Sequence, residues 1–208
     1  MKKYLLFIDT ETTGIPKRWN LSYAETDNWS STVQLAWILT DENRIEVKRE
    51  NFFIDIEDLK ISSRSFAVHG ITKEFLRVKG KDRLYVLNKL RKDILQYRPL
   101  VIGHFTEFDI HTLSCDYYRA DLENPFYQSR FFCTMLKSEE YVMNPLIKYL
   151  RLPQLYHFLF DSKMENSHDA LIDAEMTSKC FFEMYRRGEI AEESFEQIHQ
   201  KIICKLKF

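Results

Sequence analysis

The order of buried segments predicts an α/β fold, a mixed five-stranded sheet with helices packed on its faces. Three observations predict it. A continuous apolar run from Tyr4 to Ile8 reads as a strand covered on both sides. Two further strand-like runs, Val33 to Leu39 and Ile45 to Ile54, flank the polar turn Asp41-Glu42-Asn43, the punctuation of an antiparallel hairpin. After them, helical stretches alternate with short apolar ones, which suits helices layered on a sheet that is part antiparallel and part parallel.

The elements follow in order. Residues 15–32 are polar with scattered Trp19, Tyr23 and Trp29, and they predict a long loop, a kind of segment that is usually functional or mobile. Ser62 to His69 predicts a short helix, and Thr72 is placed to cap another. From Asp82 to Tyr97, Leu84, Leu87, Leu90 and Ile94 recur at helical spacing until Pro99 stops the run. Leu100 to Gly103 is a fourth, buried strand, Glu107 to Tyr118 a helix, and Phe131 to Thr134 a fifth strand. Beyond Ser138 the pattern is helical, in segments broken by Pro145 and Pro153. A long helix starts near Asp169 and runs to Arg187, where Gly188 ends it. A charged helix, Glu192 to Lys205, comes last.

The 208 residues suit one domain, with the C-terminal helix at about 191–206 as its last element. Thirty basic and 31 acidic residues leave a net charge of −1, which argues against a protein that coats nucleic acid by charge alone. Cys115, Cys133, Cys180 and Cys204 form no Cys-x-x-Cys pair and read as four reduced, buried thiols of a cytoplasmic protein. The apolar run before Asp9 is shorter than the ~7–15 residues of a secretory signal. No run approaches the ~18 apolar residues of a membrane helix.

Four acids and one histidine stand out. Asp9 and Glu11 lie two apart where the first strand ends, so their carboxylates point the same way, roughly 6–7 Å apart. Like charges so close are costly to bury unless a divalent cation compensates them. Asp173 falls within an apolar helical stripe with Ala170, Met176, Cys180 and Met184, where a carboxylate needs a partner or a metal. Asp109 falls in the first turn of the helix after the fourth strand. His168 is five residues before Asp173, a spacing that puts it in the loop entering the last long helix. Imidazoles titrate near neutrality and can take a proton from water.

Phe7-Ile8-Asp9-Thr10-Glu11-Thr12-Thr13-Gly14 resembles the first motif of the DnaQ-like 3′–5′ exonucleases, which include the proofreading subunit of bacterial DNA polymerase. Leu100 to Asp109 is similar to the second motif, and Ser167 to Ala174 to the third, in the branch with His five residues before the final Asp. Val68-His69-Gly70-Ile71-Thr72 resembles a segment between the first two. The matches run in order through about residues 4–187. Phe105 stands where Asn is common, and Cys133-Thr134 where Asp-Thr is common. The resemblance implies an RNase H-like fold, three antiparallel strands then two parallel, and two divalent ions, Mg²⁺ or Mn²⁺. Asp9, Glu11, Asp109 and Asp173 would be metal ligands and His168 the general base. Thr12, Thr13 and His69 are candidates to hold the terminal nucleotide, and Phe66 or Phe105 to stack on a base. The expected substrate is a nucleic acid with a free 3′ end, single-stranded, DNA or RNA. A DNA-repair role with a polymerase or repair partner is consistent with this. Two alternatives compete: a catalytically silent binding or interaction module of the same fold, and a phosphatase using Asp9-Thr10-Glu11-Thr12-Thr13 as an aspartyl-phosphate loop.

Overall fold

The computed structural model describes residues 3–56, 60–164 and 168–207. Ser167 of the third motif, and Glu165 and Asn166 before it, lie outside the described residues. Five strands, β1 (Tyr4–Thr12), β2 (Thr32–Asp41), β3 (Glu46–Phe53), β4 (Leu100–Gly103) and β5 (Arg130–Cys133), form one sheet in the order β3-β2-β1-β4-β5. β1 pairs antiparallel with β2, and β2 with β3. β4 runs parallel to both β1 and β5. The expected mixed sheet is the one observed.

β1 is longer than its apolar run. It continues through Asp9 and Glu11, which sit opposite Ala36 and Gln34 of β2. The two acids are thus inside a sheet strand, not past its end. Alternation then divides the strand between two faces. Phe7 packs on Phe181 and Phe182 of a helix on one face, so Asp9 and Glu11 point to that side. Trp37 of β2 points to a helix on the other face, donating its indole N–H to the buried Asp93 at 2.9 Å. β2 is buried along its whole length because both of its faces are covered.

The helices are α1 (Ser63–His69), α2 (Lys73–Lys79), α3 (Arg83–Tyr97), α4 (Thr106–Arg119), the short α5 (Thr134–Lys137), α6 (Leu152–Phe160), α7 (Ala170–Arg186) and α8 (Glu192–Ile203). Their starts follow capping chemistry. Ser62, Thr72 and Asp82 each accept a backbone N–H from three residues on. Asp169 caps α7 through the N–H groups of Leu171 and Ile172. Pro153 does not break a helix as expected. It occupies the first turn of α6, where its missing N–H has no intrahelical partner to lose. Ser138–Tyr141 is a single 3₁₀ turn.

Two further expectations are corrected. Cys115, Cys133 and Cys180 are buried, but Cys204, just past the end of α8, is exposed. The stretch before β2 is a long loop but a pinned one. Arg119, paired with Asp116 at 2.8 Å, donates to the carbonyls of Thr26, Trp29 and Ser30. Tyr23 and Trp29 bury themselves with Cys115, and Trp29 stacks on His111 at 4.7 Å. Among the described residues no helix is long and apolar enough to cross a membrane.

Candidate active site

The four acids come from three elements that meet at one end of β1. Asp9 and Glu11 belong to β1, Asp109 to the first turn of α4 and Asp173 to the first turn of α7. β4 ends at Gly103 beneath Asp109. A Cβ there would lie 3.0 Å from Thr106 Oγ1 and 3.3 Å from Asp109 Oδ2, so a larger residue would crowd the side chains that place Asp109. Asp109 is held by Thr10, whose hydroxyl donates to Oδ1 at 2.7 Å. Asp173 Oδ2 accepts the backbone N–H of His168 at 3.2 Å, while Asp173 Oδ1 is buried without a hydrogen-bond partner among the described residues. Ligand-capable atoms of Glu11, His168 and Asp173 lie within 4.8 Å of one another. His168 itself is exposed and takes a left-handed backbone conformation, φ 73°. That is an uncommon state for a residue with a Cβ, and such strain clusters at functional sites.

The acids repel. Burial pushes the Asp9 carboxyl well above the usual carboxylate range, and Asp109, Asp173, Glu11 and Asp169 push it further. Burial first, then Asp173, Asp109 and Asp169, raises Glu11 to about 8. Burial raises Asp109 to about 7 against the opposing hydrogen bond from Thr10. Burial likewise raises Asp173 to about 6, with Asp169 adding and the His168 N–H opposing. Four acids that each resist ionising are an electrostatic deficit that bound cations would remove. The orphaned Asp173 oxygen and the all-oxygen donor set suit a hard divalent ion such as Mg²⁺ or Mn²⁺.

The substrate-binding candidates are placed less uniformly. The Thr12 hydroxyl donates to the Gly14 carbonyl at 2.7 Å, and Thr13 Oγ1 accepts the Ser31 N–H at 2.9 Å. His69 lies over the first motif with both ring nitrogens engaged. Nδ1 accepts the Ile71 N–H at 3.0 Å, so Nε2–H donates to the Thr12 carbonyl at 3.2 Å. This ties α1 to β1 and leaves no ring nitrogen free for a nucleotide. Phe66 is half exposed on α1, and Phe105 opens α4 with φ 81°. Asn, common at this place in the motif that Leu100 to Asp109 resembles, adopts the left-handed state more readily than Phe.

Sequence reasoning missed Thr10, Gln34 and Asp169. Gln34 lies beside Glu11 in the sheet. Its Nε2 donates to Asp169 at 3.2 Å and its Oε1 accepts the Ala170 N–H at 3.3 Å, which fixes the start of α7 against β2. Its signal was available: a lone polar residue inside an apolar strand.

The exonuclease family matches the chain over residues 6–181. No curated protein matches it. Among solved structures, E. coli exonuclease I in complex with a 5cy-dT13 oligonucleotide has a TM-score of 0.72 at 18% identity, covering 95% of this chain and 42% of that one. The zinc-bound form of the E. coli exonuclease I–ssDNA complex gives 0.71 at 20% identity, covering 91% and 42%. The complex with a dA16 oligonucleotide gives 0.70 at 18%, covering 88% and 41%. The chain therefore spans less than half the length of exonuclease I, and at these identities the likeness establishes a shared RNase H-like fold. Relation to a polymerase proofreading subunit rests on the sequence motifs alone. With its three motifs in order on that fold and a family match across most of its length, this chain belongs to the DnaQ-like exonuclease family.

Proposed function

We propose that the chain is a divalent-metal-dependent 3′–5′ exonuclease that shortens single-stranded DNA and releases nucleoside 5′-monophosphates. The observation that carries the reading is the convergence of Asp9, Glu11, Asp109 and Asp173, with a His168 ring nitrogen within 4.8 Å of the Glu11 and Asp173 oxygens. Asp9, Glu11, Asp109 and Asp173 would hold two ions, Mg²⁺ or Mn²⁺. Such ions lower the pKa of bound water and stabilise charge on the leaving oxygen. The single-stranded oligonucleotides bound to the similarly folded E. coli exonuclease I support DNA as the substrate.

His168 is the base in this scheme. A water oxygen bonds to the terminal phosphorus, its proton passes to the imidazole, and the bond from phosphorus to the 3′-oxygen breaks. The 3′-oxygen takes a proton from solvent and stays on the shortened strand. The phosphate leaves on the 5′-carbon of the released nucleotide. Exposure of His168 lets the proton escape to water between turnovers. Thr10 keeps the Asp109 carboxylate aimed, and Gln34 keeps α7, with Asp173, in register with Glu11.

The test is digestion of 5′-labelled single-stranded DNA, duplex DNA and RNA of one sequence, in Mg²⁺ and in chelator. A ladder shortening from the 3′ end of single-stranded DNA, abolished by chelator, is expected. Internal cuts, shortening from the 5′ end, or activity unaffected by chelator would contradict the proposal.

A further inference from the structure

We propose that Trp19 and Phe105 form a base-stacking shelf for the single strand, flanked by Lys17 and Arg18 as phosphate contacts. The inference rests on the exonuclease reading and adds a subsite to it.

The 13–31 segment leaves β1 directly after the acids and lays Trp19 across the start of α4. The Trp19 ring centroid is 5.7 Å from that of Phe105, 6.1 Å from Phe108 and 5.8 Å from the buried His111. Phe105 and Phe108 stack at 5.8 Å with their planes 20° apart. Phe105 is the left-handed residue immediately before α4, and Asp109 lies in the first turn of that helix, so the shelf adjoins the acids. Large aromatic surface left open beside a phosphodiester-cleaving centre suits a nucleobase, since every base has a π-face.

Trp19 is 37% exposed, whereas Trp29 and Trp37 are 4% and 0% exposed. Core packing thus accounts for two of the three tryptophans and leaves Trp19 half open. Lys17 and Arg18, immediately before it, are exposed cations on a net-negative protein. Their position is preorganised. The Lys17 and Arg18 N–H groups donate to the Asn28 main-chain carbonyl and Oδ1, at 3.3 and 2.9 Å, and Asn28 Nδ2 donates back to the Arg18 carbonyl at 2.8 Å. Arg119 in turn grips the carbonyls around Asn28. Packed aromatics on an anchored backbone leave less to be ordered when a flexible strand binds.

Tryptophan fluorescence tests this, because Trp19 is the open indole. A short oligothymidylate with a non-hydrolysable 3′ linkage is titrated in Mg²⁺, alongside an abasic strand of equal length. Quenching by the oligothymidylate and little by the abasic strand is expected. Trp19→Phe should lose the quench but keep the affinity measured by anisotropy of a labelled strand. Trp19→Ala, with its fold checked by melting, should bind about 10-fold more weakly, ~1.4 kcal/mol. Equal quenching by both strands, or unchanged affinity in Trp19→Ala, overturns the shelf. Hydrolysis is assayed separately. A wild-type protein that binds and quenches but never hydrolyses refutes the exonuclease reading, while one that hydrolyses with Trp19 silent refutes only the shelf.

Discussion

Replacing Glu11 by glutamine in metal-free protein should stabilise it at alkaline pH and do nothing at acid pH. Glu11 is 8% exposed, and its carboxyl is raised from 4.5 to about 8 by burial and by its acidic neighbours. A carboxyl whose proton affinity is higher in the folded state favours folding less as pH rises. The loss begins above about 4.5, the unfolded value, and is complete near 8, the folded one. Each tenfold change in proton affinity corresponds to ~1.4 kcal/mol, which sets an upper bound of about 5 kcal/mol on the loss. Water entry and local relaxation bring this to roughly 2–3 kcal/mol. For a chain of this size that is ~5–10 °C in Tm. Thermal melts in chelator at pH 5 and pH 8 measure it. The wild type should melt lower at pH 8, and Glu11→Gln should recover ~5–10 °C there with little change at pH 5. A gain of equal size at both pH values, or no gain at pH 8, would refute the claim that this carboxylate is buried among like charges.

Three further outcomes follow from the same geometry. His168→Ala should melt like the wild type and lose ~10²–10⁴ in turnover on single-stranded DNA, the usual span for a general base; near-normal turnover would remove His168 from that role. Thr10→Val should raise the Asp109 proton affinity, because the lost hydrogen bond favoured the ionised form. The acid limb of the pH–rate profile should then move to higher pH, and an unmoved limb would show that Thr10 does not tune Asp109. Arg119→Met removes the clamp on the loop that carries Trp19 while keeping the aliphatic stem. Proteolytic nicking within residues 13–31 should rise, since up to three carbonyls lose their donor; a loop as resistant as the wild type's would show that the aromatic packing alone holds it.

Much of the architecture was legible because it rests on periodicity and punctuation. Tyr4 to Ile8, Leu100 to Gly103 and the hairpin around Asp41-Glu42-Asn43 announce buried strands by their apolar runs, and Ser62, Thr72 and Asp82 announce helix starts by capping chemistry. Pro153 misled because proline breaks a helix interior yet fits a first turn, and only the position of the turn tells which. The loop around Trp29 misled because polar composition says nothing of a distant clamp, here Arg119, some ninety residues away. In the site, the acids themselves were readable, since buried carboxylates in apolar surroundings contradict their setting. Their supports were harder. Thr10 bonds Asp109 across 99 residues and Gln34 bonds Ala170 across 136, contacts that exist only once the sheet is assembled. His69 carried the right motif, yet its ring was already committed to Thr12 and Ile71, a detail of side-chain direction that spacing does not report.

Calorimetric titration of Mn²⁺ into wild type and Asp9→Ala, repeated in buffers of differing ionisation enthalpy near pH 7, addresses the central claim most directly. The account predicts binding by the wild type with proton release, because Glu11, raised to about 8, and its neighbours must surrender protons to ligate, and it predicts that binding is lost in Asp9→Ala. Mn²⁺ that binds the variant as it binds the wild type, or that binds without releasing protons, would contradict it.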